Sequence, residues 1–79
     1  MNEAKRVELF EKLDRIEWHK QPFQAFGAFD SACFDAHECG LKHGTDAYAS
    51  HVIGAIVNTT DYQENEAVRE YFAKFGIIG

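Results

Sequence analysis

The chain has 79 residues and a net charge of −5, and 46% of its residues are hydrophobic and 14% aromatic. This length predicts one domain, 1–79, and the absence of any run of about twenty apolar residues argues against a membrane-spanning helix. Proteins that bind nucleic acid concentrate Lys and Arg on one face, so the acidic balance also argues against direct nucleic-acid binding. An amino terminus without an apolar signal segment, together with two cysteines too far apart to pair, predicts a cytoplasmic protein.

The apolar spacing predicts an all-α bundle of about four helices, with the second helix at its centre. The first helix is predicted over 3–19, and the short connection after it favours an antiparallel pairing of helices 1 and 2. Trp18 lies off the apolar stripe of this helix and has two interpretations. It is either an exposed anchor for a partner or a cover over the seam with the carboxyl-terminal tail or the last helix. The stripe itself consists of Leu9, Phe10, Leu13 and Ile16.

The second helix is predicted over 22–43, with Pro22 in its first turn. At about 100° per residue, its apolar residues fall on two separate sides. A surface helix has one apolar stripe, so a helix with two is expected to be packed between partners. Gly44 is the predicted stop, and Gly40 weakens the last turn. One apolar side consists of Phe23, Phe26, Phe34 and Leu41, and the other of Ala25, Ala28, Ala32, Ala36 and Cys39.

Two further helices are predicted, over 46–57 and 62–75. Thr45 or Asp46 caps the third helix, although the β-branched residues between 51 and 57 leave a strand open as the alternative. A capping box formed by Thr60 and Gln63 opens the fourth helix, and Gly76 ends it. The apolar face of the third helix consists of Tyr48, Ala49, Val52, Ile53 and Ile56, and that of the fourth of Val68, Tyr71, Phe72 and Phe75.

Four possible zinc ligands lie close together in the second helix, but only Cys33 and His37 share a helix face. Structural zinc sites usually take their ligand pairs from turns, so no metal or other cofactor is predicted. Asp30 and His37 lie on the aromatic side of the helix. They are either an acid and a base that line a pocket or boundary residues that fix the helix register. No nucleophile or third catalytic group accompanies them, so the chain is not predicted to be an enzyme. The four possible ligands are Cys33, His37, Cys39 and His43.

The negative charge falls on residues 21–79, which hold three Lys and Arg against eight acids. This imbalance predicts a non-catalytic protein that binds, and inhibits or modulates, a larger protein with a basic, nucleic-acid-handling surface, because acidic helices can stand in for a phosphate backbone. In size, charge and lack of catalytic motifs, the chain resembles the small inhibitors encoded by bacteriophages, anti-CRISPR proteins among them. The likeness covers general character and no particular residue pattern. The predicted partner-binding residues are Trp18, Asp35, Glu38, Asp61, Glu64, Glu66 and Glu70.

Two other functions are compatible with the sequence. One is a small metal- or ligand-binding helical protein that uses Cys33, His37 and Asp30. The other is a homo-oligomer whose seam is formed by Trp18 and the apolar tail Ile77–Ile78. Chelator treatment tests the first, since loss of a bound metal lowers thermal stability, and light scattering at several concentrations tests the second.

Overall fold

A computed structural model describes residues 3–18 and 23–77, and this part of the chain contains α-helices and no strand. The all-α bundle confirms the predicted fold class, and the helical conformation of residues 51–56 excludes the strand alternative. Pro22 and Ile78 lie outside the described residues, as do the side chains of Ala4 and Phe23. The helices are α1 (Glu3–Asp14), α2 (Phe23–Glu38), α3 (Asp46–Ile56), α4 (Thr60–Glu64) and α5 (Glu66–Ala73).

The first helix ends at Asp14, earlier than the predicted residue 19. Trp18 folds back over this end, and its indole Nε1 donates a hydrogen bond of 3.1 Å to the carbonyl oxygen of Leu13. The last carbonyls of a helix have no donor within the helix, and that of Leu13 accepts both from the indole and, at 3.2 Å, from the amide of Ile16. The predicted pairing of helices 1 and 2 is wrong, because α1 packs mainly against α3.

The second helix ends at Glu38 rather than at residue 43. Gly40 has a φ of +79°, and the amide of Leu41 donates to the carbonyl oxygen of Ala36 at 3.1 Å. This pairing is the six-to-one hydrogen bond of a Schellman motif, which favours glycine at the left-handed position. Gly40, and not Gly44 as predicted, therefore terminates the second helix.

Only one of the two predicted packing sides of α2 is buried. The short side chains on the buried side let α3, α4 and α5 approach α2 closely. Because α2 contacts all three of these helices, it has the predicted central position. The aromatic side is largely open: Phe34 is 65% exposed and Phe26 is 38% exposed. Cys39, predicted on the alanine side, is also exposed. The prediction that α2 is packed between partners on both apolar sides was wrong, because α1, which would have covered the aromatic side, packs mainly against α3. The buried alanines are Ala25, Ala28, Ala32 and Ala36.

The predicted fourth helix is divided in two at Asn65, whose backbone is extended. The side chain of Asn65 caps α5 by accepting hydrogen bonds from the amides of Ala67 and Val68. The cap of α4 is Thr59, one residue before the predicted Thr60, and it accepts from the amide of Tyr62. The Gln63 side chain donates to the carbonyl oxygen of Val57 instead of completing a capping box.

The core lies where α3 meets α1 and α2. Thr45 caps α3, as predicted, by accepting a hydrogen bond of 3.2 Å from the amide of Tyr48. All five residues of the predicted apolar face of α3 are buried, and apart from tyrosine hydroxyls no polar or charged side chain of the described residues is buried with them. None of the helices within residues 3–18 and 23–77 has the length and apolar character needed to cross a membrane. The largest fully buried side chains are Leu13, Tyr48, Val52, Ile56, Val68 and Phe72.

Candidate protein-binding surface

Phe34 projects from the side of α2 that faces away from the core. At 100° per residue, it lies about 160° around the helix from Ala32 and Ala36, which are buried. Its side chain is 65% exposed, more than that of any other large hydrophobic residue in the described chain. A large aromatic side chain left in solvent gains free energy when a partner covers it.

Two carboxylates flank this exposed ring. Asp30 lies one turn before Phe34 and Glu38 one turn after it, and both are exposed. Residues four apart on a helix are surface neighbours, so the aromatic ring lies between two negative charges. We refer to Asp30, Phe34 and Glu38 as the outer face of α2. An aromatic side chain surrounded by polar groups is a common arrangement in protein-binding surfaces.

Asp61 on α4 adds a third carboxylate beside this face. A Cβ atom at Gly27 would lie 2.9 Å from Asp61 Oδ2, so the carboxylate occupies space that a side chain at position 27 would need. Gly27 lies seven residues before Phe34 and therefore on the same side of α2. The outer face thus contains one predicted partner-binding residue, Glu38, and Asp30, which was not predicted. Asp61, also predicted, lies beside Gly27, near the end of the face that is away from Glu38.

The remaining predicted acids form a second exposed surface, on α4 and α5. Glu64, Glu66 and Glu70 are all exposed, and none of them lies within ion-pair distance of a described Lys or Arg. Arg69 is directed elsewhere: its guanidinium donates to the carbonyl oxygens of Tyr62 at 2.9 Å and Gln63 at 2.8 Å. It therefore caps the carboxyl end of α4, where a cation also complements the helix dipole.

Asp35 lies about 100° around α2 from Phe34, outside the outer face. Its Oδ2 atom is 2.7 Å from Nε2 of His51 on α3, and Sγ of Cys39 lies 4.0 Å from the same nitrogen. Asp35, Cys39 and His51 are the residues of the described chain whose ligand atoms converge closely enough to hold a metal ion. Cys39 is one of the possible zinc ligands predicted from the sequence, whereas nothing in the sequence indicated that Asp35 and His51 would meet it.

Trp18 lies where the second interpretation placed it, over a seam between helices. The indole is half-buried and stacks on Phe29 with ring centroids 5.1 Å apart. Phe26 and Tyr71 complete the cluster, with centroid distances of 5.8 and 6.1 Å from Trp18. The cluster joins the end of α1 to α2 and α5. A role for Trp18 in partner binding stays a prediction.

The other three possible zinc ligands predicted from the sequence surround Tyr48 and do not converge with Cys39. They are Cys33, His37 and His43. The rings of His37 and His43 meet the Tyr48 ring edge-on, with centroids 5.4 and 5.3 Å away. The Tyr48 hydroxyl donates to Cys33, whose thiol pKa is raised, mainly by burial. His37 and Asp30 are exposed. Both interpretations, an acid and a base that line a pocket and boundary residues that fix the helix register, stay predictions.

Comparison of the chain with protein-family models, curated proteins and solved structures found no match. The composition and geometry of the surface are therefore the evidence for its function.

Proposed function

We propose that this chain is a non-catalytic binding protein whose outer face of α2 docks onto a larger protein with a basic surface. The observation that carries the proposal is the exposed ring of Phe34 between the carboxylates of Asp30 and Glu38. Burial of a Phe side chain contributes about 1.5–3 kcal/mol, which supplies affinity. The flanking carboxylates favour a partner that presents Lys or Arg around an apolar recess.

Charge complementarity also favours a different protein over a second copy of this chain. Two copies joined symmetrically through the outer face would place Asp30 and Glu38 of one copy near the same residues of the other. Such juxtaposed like charges oppose association. The net charge of −5 acts in the same direction, because it repels any other copy.

The class of partner that we propose is a nucleic-acid-handling protein, which the chain would inhibit. Such proteins bear basic grooves for the phosphate backbone. The carboxylates of Asp30 and Glu38 on α2, extended by those of α4 and α5 with Asp61 among them, would occupy such a groove in place of phosphates. This mode of action agrees with the resemblance in size and charge to bacteriophage inhibitors such as anti-CRISPR proteins.

The test begins with affinity capture from the source cell, followed by affinity measurements between the purified partner and defined variants. We expect Phe34→Ala and the double variant Asp30→Asn/Glu38→Gln each to bind at least tenfold more weakly than the wild type. The matched control is Glu8→Gln/Glu11→Gln, which removes the same charge from exposed positions of α1 and should bind normally. High salt should weaken the wild-type complex, since exposed charges are screened.

Three outcomes would refute the proposal. Equal affinity of the Phe34→Ala variant and the wild type would show that the outer face is not the contact. A partner with an acidic contact surface would remove the electrostatic argument. Light scattering that shows concentration-dependent dimers, lost on Phe34→Ala substitution, would mean that the face binds a second copy.

A further inference from the structure

We propose that Asp35, Cys39 and His51 form a binding site for a divalent transition metal, and that zinc is the ion their ligand atoms suit best. The site lies between α2 and α3, away from the outer face. Asp35 and Cys39 are four residues apart and so lie next to each other on α2. His51 reaches them from α3, which packs directly against α2.

The ligand atoms already cluster around one point. His51 Nε2 lies 2.7 Å from Asp35 Oδ2 and 4.0 Å from Cys39 Sγ, and all three atoms lie within 4.8 Å of one another. Tetrahedral zinc at its usual bond lengths separates such ligand atoms by roughly 3.3–3.6 Å. The pair at 2.7 Å would have to open and the pair at 4.0 Å to close, each by less than 1 Å. The ligand atoms of Asp35 and Cys39, at most 4.8 Å apart, would have to close by up to about 1.3 Å. Asp35 and Cys39 are exposed, so small side-chain rotations suffice.

The donor set favours a transition metal over a harder cation. Thiolate and imidazole are preferred ligands of zinc, whereas calcium and magnesium select oxygen. The geometry also argues against a nucleophilic cysteine assisted by histidine. In that arrangement, the thiol and the carboxylate contact opposite nitrogens of the imidazole ring. Here both approach the same nitrogen, Nε2, and a bound ion would replace the Asp35–His51 hydrogen bond that now occupies it.

The fourth coordination position is available to water. Asp35 and His51 both line a surface cleft of about 430 Å³, whose other residues include Arg6, Ser50 and Asn58. Three protein ligands and one water are an established arrangement for zinc. We therefore expect an ion that is accessible from solvent and exchangeable, with one ion bound per chain.

The test uses cobalt(II) as a spectroscopic substitute for zinc, added to the reduced full chain. We expect saturation at one equivalent, a thiolate-to-cobalt charge-transfer band, and bleaching of that band when zinc is added. Cys39→Ser should abolish the band, and His51→Ala should weaken cobalt binding at least tenfold. The matched controls are Cys33→Ser, which removes the other thiol, and His43→Ala, which removes another exposed imidazole. Both should bind as the wild type does.

The following results would overturn the site. A band that survives in Cys39→Ser, or one that is lost in Cys33→Ser, would place the thiolate ligand elsewhere. Saturation at one ion per two chains would show that the metal bridges copies. Circular dichroism of each variant separates loss of metal binding from loss of fold. The metal site does not depend on the proposed function, because Cys39 is not part of the outer face. We therefore expect Cys39→Ser to leave the affinity for the protein partner unchanged.

Discussion

The hydroxyl group of Tyr48 lies in the core between α1, α2 and α3, where the side chain is only 2% exposed. The surrounding apolar residues disfavour the charged phenolate, and this burial is the main reason why the pKa of Tyr48 rises from 10.0 to about 12. The hydrogen bond that the hydroxyl donates to Cys33 acts in the same direction, because it is lost on ionisation. Burial of Tyr48 thus makes the stability of the bundle depend on pH.

The chain should consequently lose stability in alkali. Tyr48 binds its proton more tightly in the folded than in the unfolded state, so its contribution is complete below pH 10.0 and is lost as the pH rises towards about 12. A difference of this size corresponds to roughly 2–3 kcal/mol in the free energy of unfolding. Urea unfolding at pH 8 to 12 should show this decline in the wild type and a shallower one in Tyr48→Phe. Equal slopes for both proteins would contradict the assignment.

Two glycines test how the backbone conformation at a single residue affects the stability of the fold. Gly54 lies inside α3 without a positive φ, and a Cβ there would meet only Arg6 Nη1, at an ordinary 3.7 Å. Gly54→Ala should therefore raise the free energy of unfolding by about 0.5–1 kcal/mol. Gly40→Ala should lower it by about 1–2 kcal/mol, because φ is +79° there. Thermal unfolding measures both, and shifts of the same sign would refute the distinction.

At the scale of the helices, the alanine stripe of α2 determines the packing. Ala32 is 1% exposed, and its small side chain allows the neighbouring helices to approach α2 closely. Ala32→Leu should overpack this interface and lower the free energy of unfolding by about 1–3 kcal/mol. The control is Ser31→Leu, because residue 31 is exposed and the same side chain there meets solvent. If chemical denaturation showed equal losses for the two variants, close packing at Ala32 would not be the cause.

The sequence predicted the helices well because their signals are local. Periodic apolar residues and the cap at Thr45 identify α3 without knowledge of its neighbours. The sequence could not show which apolar side of α2 would be covered, because that depends on α1 packing against α3. The contacts between the candidate site residues could not be predicted for the same reason. Asp61 meets Gly27 and His51 meets Asp35 only through tertiary packing, and the spacing of residues along one helix carries no information about such contacts.

Across the whole molecule, folding and the proposed binding use opposite sides of one helix. The four alanines of α2 are buried against the neighbouring helices, whereas Asp30, Phe34 and Glu38 of the outer face are exposed. The carboxylates of Asp30 and Glu38 are both exposed, so they need no hydrogen-bond donor from the core. This separation means that variants of the outer face can test binding without disturbing the structure.

Phe34 provides the sharpest test of this separation. Phe34→Ser should change the free energy of unfolding by less than about 0.5 kcal/mol, because the side chain is 65% exposed. Phe72 has the same side chain but is 0% exposed, and Phe72→Ala should cost about 3–5 kcal/mol. Urea unfolding of the two variants measures the contrast. If Phe34→Ser destabilised the chain as much as Phe72→Ala does, the ring would be packed in solution, and weaker partner binding would then reflect a damaged fold instead of a lost contact.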